Sequence, residues 1–277
     1  MEHAAYPARV RRRVEGGGAV RRILTAFLLL PLIAFSQASD WYMDFDEDFA
    51  AASSKKAEPV TLTFEYVSTY PATIKLGGTM YGQPADPSQA LVDAGDGVFV
   101  PWTSNTITVK GKRIRFRGDW RNSSGSFRYL FYHTFADGND VTMSGGFDFD
   151  GAPADSMYYG TFVGCGNLTG SIPSGLFGNI SGAPADYMFA VTFYNCGNLT
   201  GSIPSGLFGN ISGTPAGYMF YSTFFNCSKL TGESALMPDG TTHLYDQFPT
   251  ASGTDCDNCY SGATGLNDYA TMPAAWK

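Results

Sequence analysis

Apolar and polar residues alternate along four short stretches between residues 59 and 120 of this chain. The stretches are 60–67 (VTLTFEYV), 72–76 (ATIKL), 107–110 (ITVK) and 112–117 (KRIRFR), with Gly, Pro and Asp between them. Because successive side chains of a strand point to opposite faces of its sheet, this two-residue period predicts half-buried strands. We therefore expect a small antiparallel β domain over residues 59–125.

A second pattern, with a period of 31 residues, follows this stretch. Residues 161–191 and 192–222 align without a gap and differ at six of their 31 positions, and a third copy begins at Thr223 and then diverges. Each copy contains several glycines and two prolines, which exclude a long helix, so we expect coils built from a short strand and tight turns. Degenerate copies at both ends are typical of a capped array. The pattern predicts a mainly β chain with a solenoid of 31-residue units over 126–232 and a degenerate C-terminal repeat or cap over 233–277.

Equivalent residues of neighbouring units should stack on one another in the core of such a solenoid, because a single unit cannot bury its apolar side alone. The predicted columns are Phe162, Phe193 and Phe224; Cys165, Cys196 and Cys227; and Leu168, Leu199 and Leu230. No histidine recurs in register with the cysteines, so we expect buried thiols rather than a metal site.

The motif Phe-x-x-Cys-x-x-Leu, followed by Ile-Pro at 172–173 and 203–204, resembles the BspA-type leucine-rich repeats of bacterial surface proteins. The resemblance covers roughly residues 130–277. It implies a leucine-rich-repeat-like solenoid, a secreted or cell-surface location, and adhesion to ligands that include host matrix proteins. The 31-residue period is longer than the common unit of that family.

The N-terminal residues have the features of an export signal. Arg21 and Arg22 precede an apolar run over 23–35, and small residues follow at Ser36 and Ala38. We predict a signal peptide over 1–38, since the apolar run is shorter than the roughly 20 residues of a membrane span. We expect no membrane span after its cleavage, and a flexible acidic N-terminus over 39–58.

The charge balance excludes one class of ligand. Loss of residues 1–38 would remove six of the 18 basic and two of the 25 acidic residues, which leaves 12 against 23. No Lys or Arg occurs between Arg128 and Lys229. A nucleic-acid-binding surface needs cations against the phosphates, so we expect no nucleic-acid partner.

Residues that could support catalysis or ligand binding are few. Cys256 and Cys259 form a Cys-x-x-Cys pair that could be a disulfide, two thiols or half of a metal site. The histidines beyond residue 38, His133 and His243, lie in no catalytic motif. We expect no enzyme activity, no cofactor and no metal.

Two sets of charged residues leave alternatives open. Asp148, Asp150 and Asp186 could act in a secreted glycoside-hydrolase-like enzyme. Three arginines on one strand face could bind an anionic ligand, or face solvent and pair with the acidic N-terminus: Arg113, Arg115 and Arg117.

The positions that differ between the repeat copies predict the binding face. Variation within near-identical units indicates exposure, because core substitutions disturb packing. Exposed rings are good anchors for ligands, so we expect binding by Tyr159, Tyr194, Tyr221 and Phe225. The predicted function is secreted or cell-surface adhesion to an extracellular protein or glycan, and the BspA resemblance includes host matrix among the ligands. The alternatives are the secreted hydrolase and a purely structural envelope protein.

Overall fold

The alternating N-terminal stretches and the glycine-rich repeats both form short strands. A computed structural model describes residues 59–277, except 78, 79, 81, 137 and 252. The predicted signal peptide (1–38) and acidic N-terminus (39–58) lie outside the described residues. Within the described part the chain is mainly β, as predicted. None of the helices in that part is long and apolar enough to cross a membrane.

The elements follow one another along the chain in this order. The strands are β1 (Thr61–Tyr66), β2 (Thr73–Lys75), β3 (Ala90–Asp93), β4 (Val100–Pro101), β5 (Thr106–Thr108), β6 (Arg113–Gly118), β7 (Val141–Gly145), β8 (Asp150–Gly151), β9 (Leu168–Thr169), β10 (Asn179–Gly182), β11 (Gly201–Ser202), β12 (Asn210–Ile211) and β13 (Leu230–Thr231). Two four-residue helices, α1 (Leu244–Gln247) and α2 (Gly253–Cys256), and the 3-10 helix Ala274–Trp276 complete the chain.

A six-stranded sheet joins the antiparallel strands of residues 61–118 to the repeats. Its strand order is β4-β3-β6-β1-β7-β9. The central strand β1 pairs antiparallel with β6 and β7, and it buries Leu62, Phe64 and Tyr66 on one face as its alternation predicts. β7 then pairs parallel with β9, the first strand of the repeat copies. The antiparallel strands and the first coil therefore share one sheet.

Short parallel strands connect successive coils. β10 pairs with β8 on one side and β12 on the other, and β11 pairs with β13. The isolated bridge between Gly170 and Leu199 continues the same parallel arrangement. Each coil thus lies beside its successor through backbone hydrogen bonds.

The most regular part of each coil is a run of turns rather than a strand. Five such turn segments occur in the described chain, at 128–135, 155–164, 186–195, 217–226 and 257–262. In the third segment, alternate N–H groups donate within the coil and to the next coil. The N–H of Phe193 donates to the carbonyl of Thr223 (2.8 Å), whereas that of Thr192 donates back to Phe189 (3.2 Å). The turn segments therefore join neighbouring coils without forming a sheet.

This pattern requires a left-handed backbone at every fourth residue. Tyr187, Val191 and Asn195 have φ values of 56°, 50° and 61°. Glycine, Asn, Ser, Tyr or His occupies the equivalent places in other coils, as at Gly160, where a side chain would come within 2.5 Å of the Tyr129 ring. The sequence predicted one short strand and turns in each coil, but it gave no indication of this four-residue period.

The predicted ring column lies in the core between the coils. Phe193 stacks between Phe162 (ring centroids 5.3 Å apart) and Phe224 (5.4 Å), with near-parallel planes. Phe131 and Tyr260 extend the column by one ring at each end. The residues of all three predicted columns are completely buried.

The cysteines of the second column have a structural contact that the sequence did not suggest. The Sγ of Cys196 donates to the carbonyl of Phe162 in the preceding coil (3.0 Å), and Cys165 and Cys227 make the equivalent contact. Burial raises the pKa of Cys165 and of Cys227 to about 12. The column therefore consists of neutral thiols that hydrogen-bond one coil to the next.

Residues after the third copy cover the last coil. The ring of Trp276 lies 6.3 Å from that of Tyr260 and 5.9 Å from that of Phe220. The N–H of Tyr260 donates to the Trp276 carbonyl (2.9 Å), in the position that a further coil would occupy. Trp276 thus covers the last ring of the column, and we refer to the 233–277 region as the cap, the role predicted for it.

Candidate binding surface

A row of tyrosines crosses the turn segments from coil to coil. Tyr187 and Tyr218 stack with their ring centroids 4.7 Å apart and their planes 4° apart, and they are 39% and 36% exposed. Tyr159 and Tyr129 continue the row on one side (6.0 and 5.1 Å), and Tyr221 contacts Tyr218 on the other (5.8 Å). We call these five residues the tyrosine face.

The row takes its shape from the turn segments. Buried pairs such as Met188 and Phe189 alternate with pairs that reach the surface, and Tyr187 is held in the left-handed region at the start of its segment. Since the coils stack, equivalent rings lie on one another. The middle rings of the row therefore present their edges and hydroxyl groups to solvent rather than their faces.

The four residues predicted for binding are divided between two places. Tyr159 and Tyr221 belong to the tyrosine face. Tyr194 and Phe225 stack on each other (4.7 Å, 6°) at the next surface pair of their turn segments. All four are half-buried.

The two most exposed rings of the row are not among the four predicted binding residues. Tyr187 and Tyr218 are identical in the two clean copies, and exposure had been inferred from variation between copies. A polar residue, Ser156, occupies the same column one coil earlier. That substitution was the available signal that the column faces solvent.

Carboxylates and one guanidinium border the tyrosine face. The Arg128 guanidinium lies over Tyr159 (4.8 Å from the ring centroid) and Tyr129 (5.2 Å). Asp186 precedes Tyr187 and accepts the Gly217 N–H (2.8 Å). The other carboxylate in this aspartate column belongs to Asp155, which accepts the Asp186 N–H (3.2 Å). Burial raises the pKa of Tyr159 to about 12, so its hydroxyl stays neutral.

The three carboxylates considered for a hydrolase lie at two separate places. Asp148 and Asp150 are exposed and line a shallow depression beside β8. Asp186 lies at the start of a turn segment next to the tyrosine face. The general acid of a glycosidase lies in apolar surroundings, which exposed aspartates lack.

Ser234, His243 and Asp268 meet in the cap, which the sequence did not predict. The Ser234 hydroxyl donates to Asp268 Oδ2 (2.6 Å) and lies 3.1 Å from His243 Nδ1. Asp268 Oδ2 also lies 3.4 Å from the same Nδ1. In a nucleophilic triad the histidine uses one nitrogen for the serine and the other for the carboxylate, so this arrangement is not a triad.

The same cap cluster has the residue types of a metal site. Ligand atoms of Glu233, His243 and Asp268 lie within 4.8 Å of one another. Asp268, however, already accepts the hydroxyls of Ser234 and Tyr245 and the Ser234 N–H. We interpret the cluster as a hydrogen-bond network that fixes the cap.

Cys256 and Cys259 carry thiols and do not form the disulfide that was one of the alternatives. The Cys256 Sγ donates to the carbonyl of Ala275 (3.2 Å), whereas Cys259 interacts with Thr223 of the preceding coil. Burial raises the pKa of Cys256 to about 12 and that of Cys259 well above its usual value. The two side chains thus contact different neighbours.

The arginines of β6 interact within their own sheet. Arg113 pairs with Glu65 (2.9 Å) and Arg115 with the buried Asp93 (2.6 Å). Arg117 lies over the ring of Phe99, 4.1 Å from its centroid. The expected alternative partner, the acidic N-terminus, is outside the described residues. Neutralisation of two arginines disfavours an anionic ligand here.

Comparison with known proteins adds no identification. No protein-family model, curated protein or solved structure matches the chain. The resemblance to BspA-type repeats therefore remains a prediction from its motif.

Proposed function

We propose that the chain is an exported, non-enzymatic binding protein, secreted or displayed at the cell surface, that binds a protein ligand through the tyrosine face. The exposed Tyr187–Tyr218 stack, continued by rings from neighbouring coils, is the observation that supports this proposal most directly. The predicted signal peptide and the BspA-like motif support the location.

The scaffold of the proposal is a leucine-rich-repeat-like solenoid of 31-residue units. Its support is the ring column through Phe162, Phe193 and Phe224, together with the hydrogen bonds between turn segments. In an array of this kind each unit adds one more contact of the same chemistry. Several weak contacts then act together, which raises the overall affinity for an extended partner.

The geometry of the tyrosine face favours a protein over a glycan. A sugar binds an aromatic ring through the ring's open face, but one face of each of Tyr187 and Tyr218 is covered by the other ring, and each ring also contacts a further tyrosine, Tyr159 or Tyr221. Their edges and hydroxyls remain, beside the carboxylate of Asp186. Tyrosine is enriched in protein interfaces because it combines a large apolar ring with a hydrogen-bonding group.

The charge around the tyrosine face favours a basic partner. Carboxylates border it, and the chain has no Lys or Arg between Arg128 and Lys229. Arg128 already lies over two of its rings, which illustrates how a guanidinium fits the edge of this surface. Complementary charge accelerates association with such a partner and disfavours acidic ones. The BspA resemblance implies host matrix proteins as one source of the ligand.

The test is a binding measurement against a panel of immobilised extracellular-matrix proteins. The double variant Tyr187→Ala with Tyr218→Ala should lower the affinity for the bound protein at least about tenfold. Aromatic side chains that become buried at an interface contribute this much in other complexes. Binding should also weaken when salt rises from about 0.1 M to about 1 M, since the Debye length falls from about 10 to 3 Å.

The matched control is Tyr70→Ala, because Tyr70 is 42% exposed but lies between β1 and β2. Its affinity should equal that of the parent chain. Unchanged binding by the double variant would exclude the tyrosine face. Turnover of a sugar polymer that Asp148→Asn or Asp150→Asn abolishes would instead favour the hydrolase alternative.

A further inference from the structure

A groove runs along the parallel strands β8, β10 and β12, outside the turn segments. Two of its three parts are mainly polar, and the third, beside β8, is also lined by Val60, Phe147 and Phe149. The groove consists of three adjoining depressions of about 530, 430 and 280 Å³. The first two share Asp150 and Asn179, and the second and third share Asn210 and Pro238. The groove therefore crosses successive coils.

The same polar side chains recur in the groove once per coil. Ser174 and Ser205 are 31 residues apart, and so are Asn179 and Asn210. Neighbouring strands lie about 4.7–4.9 Å apart. That spacing is close to the advance per sugar residue in an extended polysaccharide, so equivalent groups can meet successive sugars.

These four side chains are exposed to solvent and do not join neighbouring coils. Within the described residues, none of them makes a side-chain hydrogen bond to the protein. The asparagines of the turn segments differ, because Asn226 donates to Asn195 (3.0 Å) and thereby joins two coils. Coil packing thus accounts for the turn-segment asparagines but not for those of the groove.

Close packing of the coils explains why the groove is open. A side chain at Gly178 or Gly209 would come within 2.2 or 2.1 Å of a carbonyl oxygen in the coil before it. Both residues also have positive φ values, 71° and 69°. The groove therefore keeps a flat floor of backbone, with serine and asparagine side chains beside it.

The lining favours an uncharged ligand rich in hydroxyl groups. Serine hydroxyls and asparagine amides both donate and accept hydrogen bonds, as sugar hydroxyls require. Asp148 and Asp150 lie at one end and Asp239 at the other, and no Lys or Arg lines the three depressions in the described chain, which disfavours acidic glycans. Pro173 and Pro238 offer small apolar surfaces to the faces of sugar rings.

We propose that this groove binds a neutral, extended polysaccharide chain that lies along the coils, with about one sugar residue per coil. The tyrosine face shares no residue with the groove, so the two sites can be tested separately. A polysaccharide in the groove and a protein on the tyrosine face could be bound at the same time.

The test is calorimetric titration of the full chain with hexaoses of β-1,4-glucose, β-1,3-glucose, β-1,4-xylose and β-1,4-mannose. We expect at least one to bind with a Kd of about 1 mM or lower. The affinity should rise from the disaccharide to the tetrasaccharide, since longer chains reach more coils. Oligogalacturonate, an acidic comparator, should bind more weakly.

The double variant Asn179→Ala with Asn210→Ala should weaken binding about tenfold, because two hydrogen-bonding groups are lost. Ser205→Glu, an exposed change, tests the groove independently and should reduce binding by narrowing it. The double variant of Tyr187 and Tyr218 is the matched control and should bind the hexaose normally. Thermal melts check that all variants fold.

The proposal is wrong if none of the four hexaoses binds at about 1 mM. It is equally wrong if both groove variants bind like the parent chain. Loss of hexaose binding in the tyrosine variant alone would move the sugar site to the tyrosine face. Loss of the protein ligand in that variant, with hexaose binding intact, would support both proposals.

Discussion

Replacement of a single valine by glycine tests the left-handed residues of the turn segments. Val191 has a φ of 50°, and a β-branched residue is strongly disfavoured there, at a cost of about 1–3 kcal/mol. Val163 lies in the preceding turn segment, is also half-buried, and does not have a positive φ. The pair therefore separates backbone strain from loss of the side chain.

The magnitudes follow from the burial of the two residues. Removal of a half-buried valine side chain costs about 1 kcal/mol, and the greater chain entropy of glycine adds about 0.5–1 kcal/mol. Val163→Gly should therefore lower the free energy of unfolding by about 2 kcal/mol. Relief of strain offsets this loss at Val191, so Val191→Gly should change stability by no more than about 1 kcal/mol, in either direction.

Urea denaturation followed by tryptophan fluorescence measures both free energies of unfolding. Equal m-values are needed for the comparison, because a changed slope means a changed denatured or native state. Equal destabilisation by the two variants, or a larger loss at Val191, would refute the left-handed assignment and with it the four-residue period of the turn segments.

Two further predictions concern the core. Phe193→Ala should cost about 3–5 kcal/mol, since its fully buried ring stacks on two others, whereas Tyr194→Ala, half-buried with one stacked neighbour, should cost less than about 1.5 kcal/mol. Urea denaturation compares the two, and similar costs would contradict the ring column. All five cysteines should resist iodoacetamide at pH 8 in the folded chain and react in urea, because burial raises their pKa values. Mass spectrometry counts the labels, and rapid labelling of a native cysteine would contradict their burial.

The strands and the ring columns could be predicted because they follow from simple periods. Alternation over 60–67 gave β1, and the 31-residue period placed Phe193 beside Phe162 and Phe224. Both periods are defined by the positions of apolar residues, which can be read directly from the sequence.

The turn segments could not be predicted in the same way. Tyr187 and Val191 are left-handed only because hydrogen bonds to the next coil hold them so, and neither residue type favours that conformation. The tyrosine face was partly missed for a related reason, since variation between copies reports tolerance and says nothing about identical exposed residues. The cap network joins Ser234 to Asp268 across 34 residues without a motif.

The hydrogen bonds between coils are made by backbone groups, so they do not depend on which copy of the unit comes next. A turn segment donates its alternate N–H groups to whichever segment comes next, and the carbonyl of Trp276 completes the series at Tyr260. Deletion or duplication of a whole 31-residue copy would keep the pattern of backbone hydrogen bonds at each remaining junction, although side chains at six positions differ between the two clean copies. The number of turn segments joined in this series, and with it the length of the tyrosine row, would then change with the number of copies.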